Sequence, residues 1–300
     1  MAIALAAGAA LLAAAAVVLQ RVALESAPDH ASLSPRLIGH ALKRRGWLLG
    51  FGLFLCVFVL QASALRVGQL SVVQPALTTE LIFLVAILVL GFHRRVGWRE
   101  VAGILAIVGG LAGFFASAAP AVGTGQPDRT AWVIVTVITL LCALGLVLAG
   151  REGPRWWRAA VLGAAAAVVF AYNAALTKAV TTLLRQGGWG HVFASWEPYL
   201  LAVVGISGLF LLQSALHAGP ITASRITTVI VNPMVSIVIG VTAFNERLRS
   251  GAGFIALDVV AITVLCAGVV VLVRSPLVAG MGGTAGDEYL GAGPLPPPVL

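Results

Sequence analysis

Apolar residues run along this chain in long unbroken blocks, and short polar turns separate the blocks. Nine blocks can be read, at 2–19, 46–65, 70–92, 101–119, 131–149, 159–177, 198–216, 221–244 and 252–273. Each is close to the roughly 20 residues a helix needs to cross a bilayer. The blocks are too long and too continuous for the short alternating strands of an outer-membrane barrel. In lipid, backbone groups are satisfied most simply within a helix. The pattern therefore predicts an all-α, polytopic membrane protein with about nine transmembrane helices. Block 2–19 has no charge before Arg21 and an apolar run longer than a signal-peptide core, so it reads as a retained span.

Composition sharpens the class. The chain is 60% hydrophobic and 10% charged, with a mean hydropathy of +1.01, whereas soluble domains carry about 25% charged residues. A net charge of +8 would suggest nucleic acid for a soluble domain. Here the apolar content excludes that partner, and the excess Lys and Arg points to cytoplasmic loops. With the N-terminus outside, inward segments hold twelve Lys and Arg, among them Lys43, Arg44, Arg45, Arg94, Arg95 and Arg151, and outward segments hold five. The expectation is N-terminus out and C-terminus cytoplasmic. The Ala/Gly/Val/Arg bias suits a GC-rich bacterial genome, hence the plasma (bacterial inner) membrane. Residues 275–300 are Gly- and Pro-rich and read as a disordered cytoplasmic tail. Cys56, Cys142 and Cys266 lie far apart in apolar stretches, which excludes a disulfide framework and predicts small core residues.

The chain also repeats itself. Residues 60–68 (LQASALRVG) and 211–219 (LLQSALHAG) share five of nine positions at an offset of 151. Each copy ends a span, turns, and starts a long span containing an X-Pro step, Gln74-Pro75 or Asn232-Pro233. In the N-out topology the two copies start on opposite sides. The chain then divides into inverted halves of four and five spans, 1–120 and 121–274. Inverted repeats are characteristic of secondary transporters, whose substrate site lies near the midplane between the halves.

The run Ser-Ala-Leu-His-Ala-Gly-Pro-Ile-Thr-Ala-Ser, followed by Asn232-Pro233 and Phe244-Asn-Glu-Arg-Leu248, resembles the second repeat of the drug/metabolite transporter superfamily. The layout of the first half is similar to the NIPA-type magnesium-transporter branch. The resemblance implies a carrier working by alternating access, and the branch implies a divalent cation. The sequence departs from that branch at Val59-Leu60-Gln61-Ala62, which holds no acid, and Asn245 stands before Glu246 in place of Gly. A divalent ion needs hard oxygen ligands, usually including carboxylates.

Charged groups inside spans cost about 2.5–3.5 kcal/mol on insertion scales and mark functional sites. Glu80 is ten residues into its block, near the midplane at about 15 Å depth; Arg225 and Asp258 lie nearer the ends of theirs. Gln61, Gln74 and Asn232 add uncharged polarity. The offset makes Gln74 equivalent to Arg225, and Glu80 equivalent to Val231 beside Asn232. Glu80, Arg225, Asn232, Gln74, Asp258 and Gln61 are thus the candidate substrate- or ion-binding residues. Glu80 would be a proton- or cation-linked carboxylate, Arg225 an anchor for an anionic group or the counter-ion of an acid, and Asn232 a neutral ligand. Pro75 and Pro233 are candidate hinges. Gly46/Gly50 and Gly109/Gly113 suggest close helix packing, and Trp47, Trp98, Trp132, Trp156 and Trp157 suggest interface anchors.

The five histidines show no metal-ligand spacing, and neither a catalytic pair nor a phosphate loop is legible. The reading is therefore a transporter rather than an enzyme, without cofactor or resident metal. Its partners would be a small-molecule or ion substrate and the lipid bilayer, with a homodimer as a candidate assembly. A divalent-cation transporter, a lipid flippase and a non-transporting membrane scaffold are the alternatives.

Overall fold

The structure is a computed structural model and describes residues 1–25, 45–92, 96–120 and 126–279. Most of the basic loop 36–45, the pair Arg94-Arg95, the tail beyond Ala279 and the side chains of Gly46, Trp47 and Gly50 lie outside the described residues.

The elements are α1 (Ala2–Glu25), α2 (Arg45–Val67), α3 (Leu70–Leu77), α4 (Glu80–Phe92), α5 (Trp98–Ala118), α6 (Arg129–Ala149), α7 (Arg155–Ala194), α8 (Glu197–Ala218), α9 (Ile221–Thr242), α10 (Ala252–Val273) and the short α11 (Pro276–Ala279). Among the described residues, eight candidate spans are long and apolar enough to cross a membrane, with α3 and α4 together forming one of them. The second expected block falls on α2, whose described apolar part, Gly52–Val67, is shorter than the candidate spans. Large apolar side chains such as Leu140, Leu141, Leu144, Ile206, Phe210 and Val259 face outward. In water that surface would drive aggregation; in lipid it is the expected exterior. The protein is a multi-pass membrane protein.

α1 belongs to the bundle. Ala6, Ala9, Ala10 and Ala14 are fully buried, and the helix packs on α2, α3 and α4. α7 is the most buried of the candidate spans and touches α6, α8 and α9 along an alanine-rich surface. Near its end Gly188 adopts φ 67°, a left-handed conformation that favours glycine, and the chain bends there. α5 and α10 meet backbone to backbone. A Cβ added at Gly110 would lie 2.6 Å from the Leu265 amide nitrogen, and one at Gly268 would lie 2.8 Å from that of Ile107.

That contact corrects one expectation. The close approach uses Gly103, Gly110 and Gly268, whereas Gly109 has open space beside it and Gly113 meets only the Ala261 methyl. Two more expectations change. Cys56 and Cys142 are exposed and Cys266 is half-buried, so they face outward rather than filling the core. Trp132 is buried in an edge-on cluster with Tyr172, Trp196 and Phe244, whereas Trp98, Trp156 and Trp157 are exposed as interface anchors should be.

Loops that alternate along the chain meet at a shared end. The Gln69 side chain donates to the Pro120 carbonyl, and the Arg249 amide donates to that of Ala118. Gln126 donates to the Ala179 carbonyl at 3.1 Å. Elsewhere, Glu100 accepts from the amides of Gly97 and Leu277, tying the start of α5 to the chain just after α10.

Candidate functional site

The helix carrying Gln74 and Glu80 is interrupted. Pro75 has no amide hydrogen, and α3 stops two residues later. Thr78 and Thr79 form a tightened turn in which their amides donate to the Pro75 and Ala76 carbonyls, three residues back. Their hydroxyls donate to the same carbonyls at 2.7 Å. This is how lipid-embedded backbone is kept satisfied at a helix break, and such a turn inside a helix is often a hinge. α4 then opens on Glu80. Pro233 behaves differently: α9 runs through it as one helix from Ile221 to Thr242.

α3 and α9 lie side by side and antiparallel. The Asn232 amide donates to Gln74 Oε1 at 3.3 Å. Two turns onward along α3–α4 and back along α9, Arg225 Nη2 stands 3.7 Å from Glu80 Oε1. Four of the six residues singled out in the sequence are therefore brought together as two cross-helix pairs. Gln74 meets Asn232, and Arg225 meets Glu80. The ion pair is partly open, with side-chain exposures of 30% and 28%, whereas Gln74 is buried at 2%. Between Ile221 and Asn232 only Ser224 is fully buried, and no residue is fully exposed.

The other two residues lie apart. Asp258 on α10 accepts a hydrogen bond from the Ser117 hydroxyl of α5, not from any of the four. Gln61 is half-buried on α2 and makes no hydrogen bond among the described residues. An apolar groove of about 430 Å³ between α5 and α10, lined by Gly109, Gly113, Ala116, Leu257, Val260 and Val264, holds none of the four either.

The structure adds two charged residues, Lys178 and Glu246, that are not among the six singled out in the sequence. Glu246, 2% exposed, aims its carboxylate at the first amides of α3, accepting from Leu70 at 2.6 Å and Ser71 at 2.9 Å. Gln69, the residue at the N-cap, supplies no side-chain cap of its own. Glu246 performs that task from 176 residues away, where the helix dipole favours a negative charge. Lys178 of α7 pairs with the same carboxylate, and its ammonium lies 4.6 Å from the centre of the Phe244 ring. Gly240 makes room for the group, since a Cβ there would lie 2.5 Å from Glu246 Oε2. The carboxylate thus ties α3, α7 and the turn after α9 together.

Comparisons with known proteins add one relative. The chain is 26% identical over 235 residues to an uncharacterized protein of Corynebacterium glutamicum, a match covering 78% of this chain and 80% of the relative. No family model matches the chain, and no solved structure matches it.

Proposed function

We propose that this protein is a secondary transporter of the drug/metabolite type that moves a small solute across a bacterial plasma membrane by alternating access. The observation that carries the reading is the pairing across α3–α4 and α9. Under the offset of 151 residues, Glu80 corresponds to Val231 and Gln74 to Arg225. The Glu80–Arg225 contact is therefore exchanged, within one residue, for the Asn232–Gln74 contact. Two contacts related in this way are what an inverted repeat with a pseudo-twofold axis between α3 and α9 produces, and in such carriers substrate binds near that axis.

Burial along the seam supports a conformational state. From Leu70 to Ala76 every residue of α3 is buried, and the facing Ser236, Ile239 and Gly240 are buried too. At the other end Glu80 and Arg225 are partly open. In the N-out topology the tied end faces outward and the open end faces the cytoplasm. The conformation is then closed to the outside, with the Lys178–Glu246 pair as part of the closure. A divalent cation would meet at Glu80 a lone carboxylate already facing a guanidinium, a poor set of hard-oxygen ligands.

The test is solute flux in proteoliposomes, with Glu80→Gln beside the natural protein. The expected result is a loss of at least tenfold in flux, together with loss of its pH dependence. A double charge reversal, Glu80→Arg with Arg225→Glu, recovers part of the flux if the pair works as a unit. Undiminished transport by Glu80→Gln with an unchanged pH profile removes Glu80 from the mechanism. A protein that moves no solute, but whose biological effect depends on the tail and the basic loop, is a scaffold instead.

A further inference from the structure

The buried part of the α3/α9 seam carries more polar atoms than it satisfies. Ser71 Oγ, Gln74 Nε2, Asn232 Oδ1 and Ser236 Oγ find no hydrogen-bond partner among the described residues. Ser71 and Ser236 are 0% exposed and Gln74 is 2% exposed. All four belong to one surface. Ser71 and Gln74 are three apart on α3, while Asn232, Ser236 and Gly240 are spaced by four on α9, so each set shares a helix face. Gln74 touches Asn232, and a Cβ at Gly240 would lie 3.4 Å from the Ser71 amide. Ser236 lies between those two contacts.

The free atoms define a chemistry. The two amides use one donor and one acceptor on each other, which leaves one donor and one acceptor side by side. Turning both amides together exchanges their roles and leaves the same donor and acceptor free. Two hydroxyls, each able to donate and accept, stand beside them. The charges at either end are already matched, Lys178 with Glu246 and Arg225 with Glu80. A charged solute would have to break one of these pairs to be neutralised; an uncharged one would not. Leaving a polar atom unpaired in a buried helix contact is costly, and alanine would fill the serine positions without that cost.

We propose that the α3/α9 seam is a subsite for an uncharged hydrogen-bonding solute, an amide or a polyol, held between Gln74 and Asn232 with Ser71 and Ser236 completing its contacts. This rests on the transporter reading and narrows its substrate class. The solute reaches the seam when α3 and α9 part, which the Pro75–Thr79 break allows.

The test uses Ser236→Cys and Ser71→Cys in full-length protein in which Cys56, Cys142 and Cys266 are replaced by Ala. Thr130→Cys, at an exposed position, is the reference. Three methanethiosulfonates of one chemistry serve as probes: the neutral hydroxyethyl, the cationic trimethylammonioethyl and the anionic sulfonatoethyl reagents. Relative to the reference, the neutral reagent is expected to modify the seam cysteines at least ten times faster than either charged one. A charged reagent reacting as fast, or no reaction with any of the three, overturns the proposal. Ser236→Ala is the second measurement, and it does not depend on a cysteine variant folding. Removing an unpaired hydroxyl should leave the melting temperature equal or higher and lower acetamide or glycerol flux tenfold. A lowered melting temperature means that the hydroxyl is structural and sinks the subsite. Selective labelling in a protein that transports nothing keeps the subsite and removes the transporter reading. Glu80-dependent flux of charged solutes with unselective labelling does the reverse.

Discussion

Lys178→Met tests the tie that holds the start of α3. Methionine keeps the apolar stem beside Phe244 and deletes the ammonium. Glu246, whose side chain is fully buried, is then left with only the Leu70 and Ser71 amides. Removing one partner of a buried ion pair costs about 3–5 kcal/mol, because the other charge stays behind uncompensated. The two amide bonds and the 14% exposure at Lys178 favour the lower part of that range. Glu246→Gln leaves the ammonium unpaired, and its single carbonyl oxygen replaces a carboxylate that served Leu70 and Ser71 through separate oxygens. Its cost is of the same size. The double variant removes both charges and leaves one orphaned amide, a cost of about 1–3 kcal/mol. An unfolding entropy of about 2.1 cal/mol/K per residue amounts to about 0.6 kcal/mol/K over this chain. The single variants should therefore melt about 5–8 °C below the natural protein, and the double variant about 2–5 °C below it. Thermal unfolding of detergent-solubilised protein, followed by tryptophan fluorescence, reads all four. A double variant that melts at or below the worse single one refutes the coupling. Single variants within a degree of the natural protein refute the buried tie itself.

Gly110→Leu should separate α5 from α10, because a side chain there meets Leu265 and Ala261 backbone; overpacking of this kind costs about 1–3 kcal/mol or more. Gly109→Leu, one residue away with nothing within 4 Å, should stay within about 0.5 kcal/mol of the natural protein. Equal effects in thermal unfolding would mean that the two helices do not meet as described. Ser117→Ala removes the hydroxyl that Asp258 accepts from and should cost about 1–3 kcal/mol. Adding Asp258→Leu should recover most of that loss with solute flux unchanged. A fall in flux would mean that Asp258 takes part in transport after all.

The spans were legible because nothing else in biology requires 20-residue apolar blocks. Eight of the nine blocks appear as candidate spans, α2 has only a shorter described apolar part, and the block 70–92 is broken between α3 and α4. Edges moved too, as where α7 runs through the expected turn after residue 177 as far as Gly188. Glu80, Arg225, Gln74 and Asn232 were legible for a related reason: polarity inside an apolar block is costly, so it stands out. Their pairing was less so. The offset equated Gln74 with Arg225, but symmetry-equivalent residues need not touch each other, and the contacts run crosswise. Lys178 and Glu246 left no comparable signal. Charges at span edges are ordinary, and two of the three partners of the Glu246 carboxylate are backbone amides that no side-chain pattern reports. Glu246 stood out only as part of the Phe244–Leu248 run, which assigns it no partner, and the other clue was negative, since the residue before Leu70 is Gln69, a poor helix cap. Trp132 misled because a tryptophan at a span edge is usually an anchor, whereas here Tyr172, Trp196 and Phe244 enclose it.

The two ends of the α3/α9 pair are held by different physics, and that difference gives the proposed cycle a direction. At the Leu70 end a fully buried carboxylate binds two amides and a mostly buried ammonium, so the contacts reinforce one another and must break together. At the other end α9 starts behind Pro220 with no side-chain cap, and the ion pair stands 3.7 Å apart with nearly a third of each side chain exposed. This contact is longer and less enclosed than the one between Lys178 and Glu246. A solute entering from that end therefore meets the looser of the two locks first. Only a change that reaches Glu246 can open the other end. The Pro75–Thr79 break lies between the two locks. It lets α4 move with Glu80 while α3 stays tied to Lys178, so that the ends need not open at once, which alternating access requires.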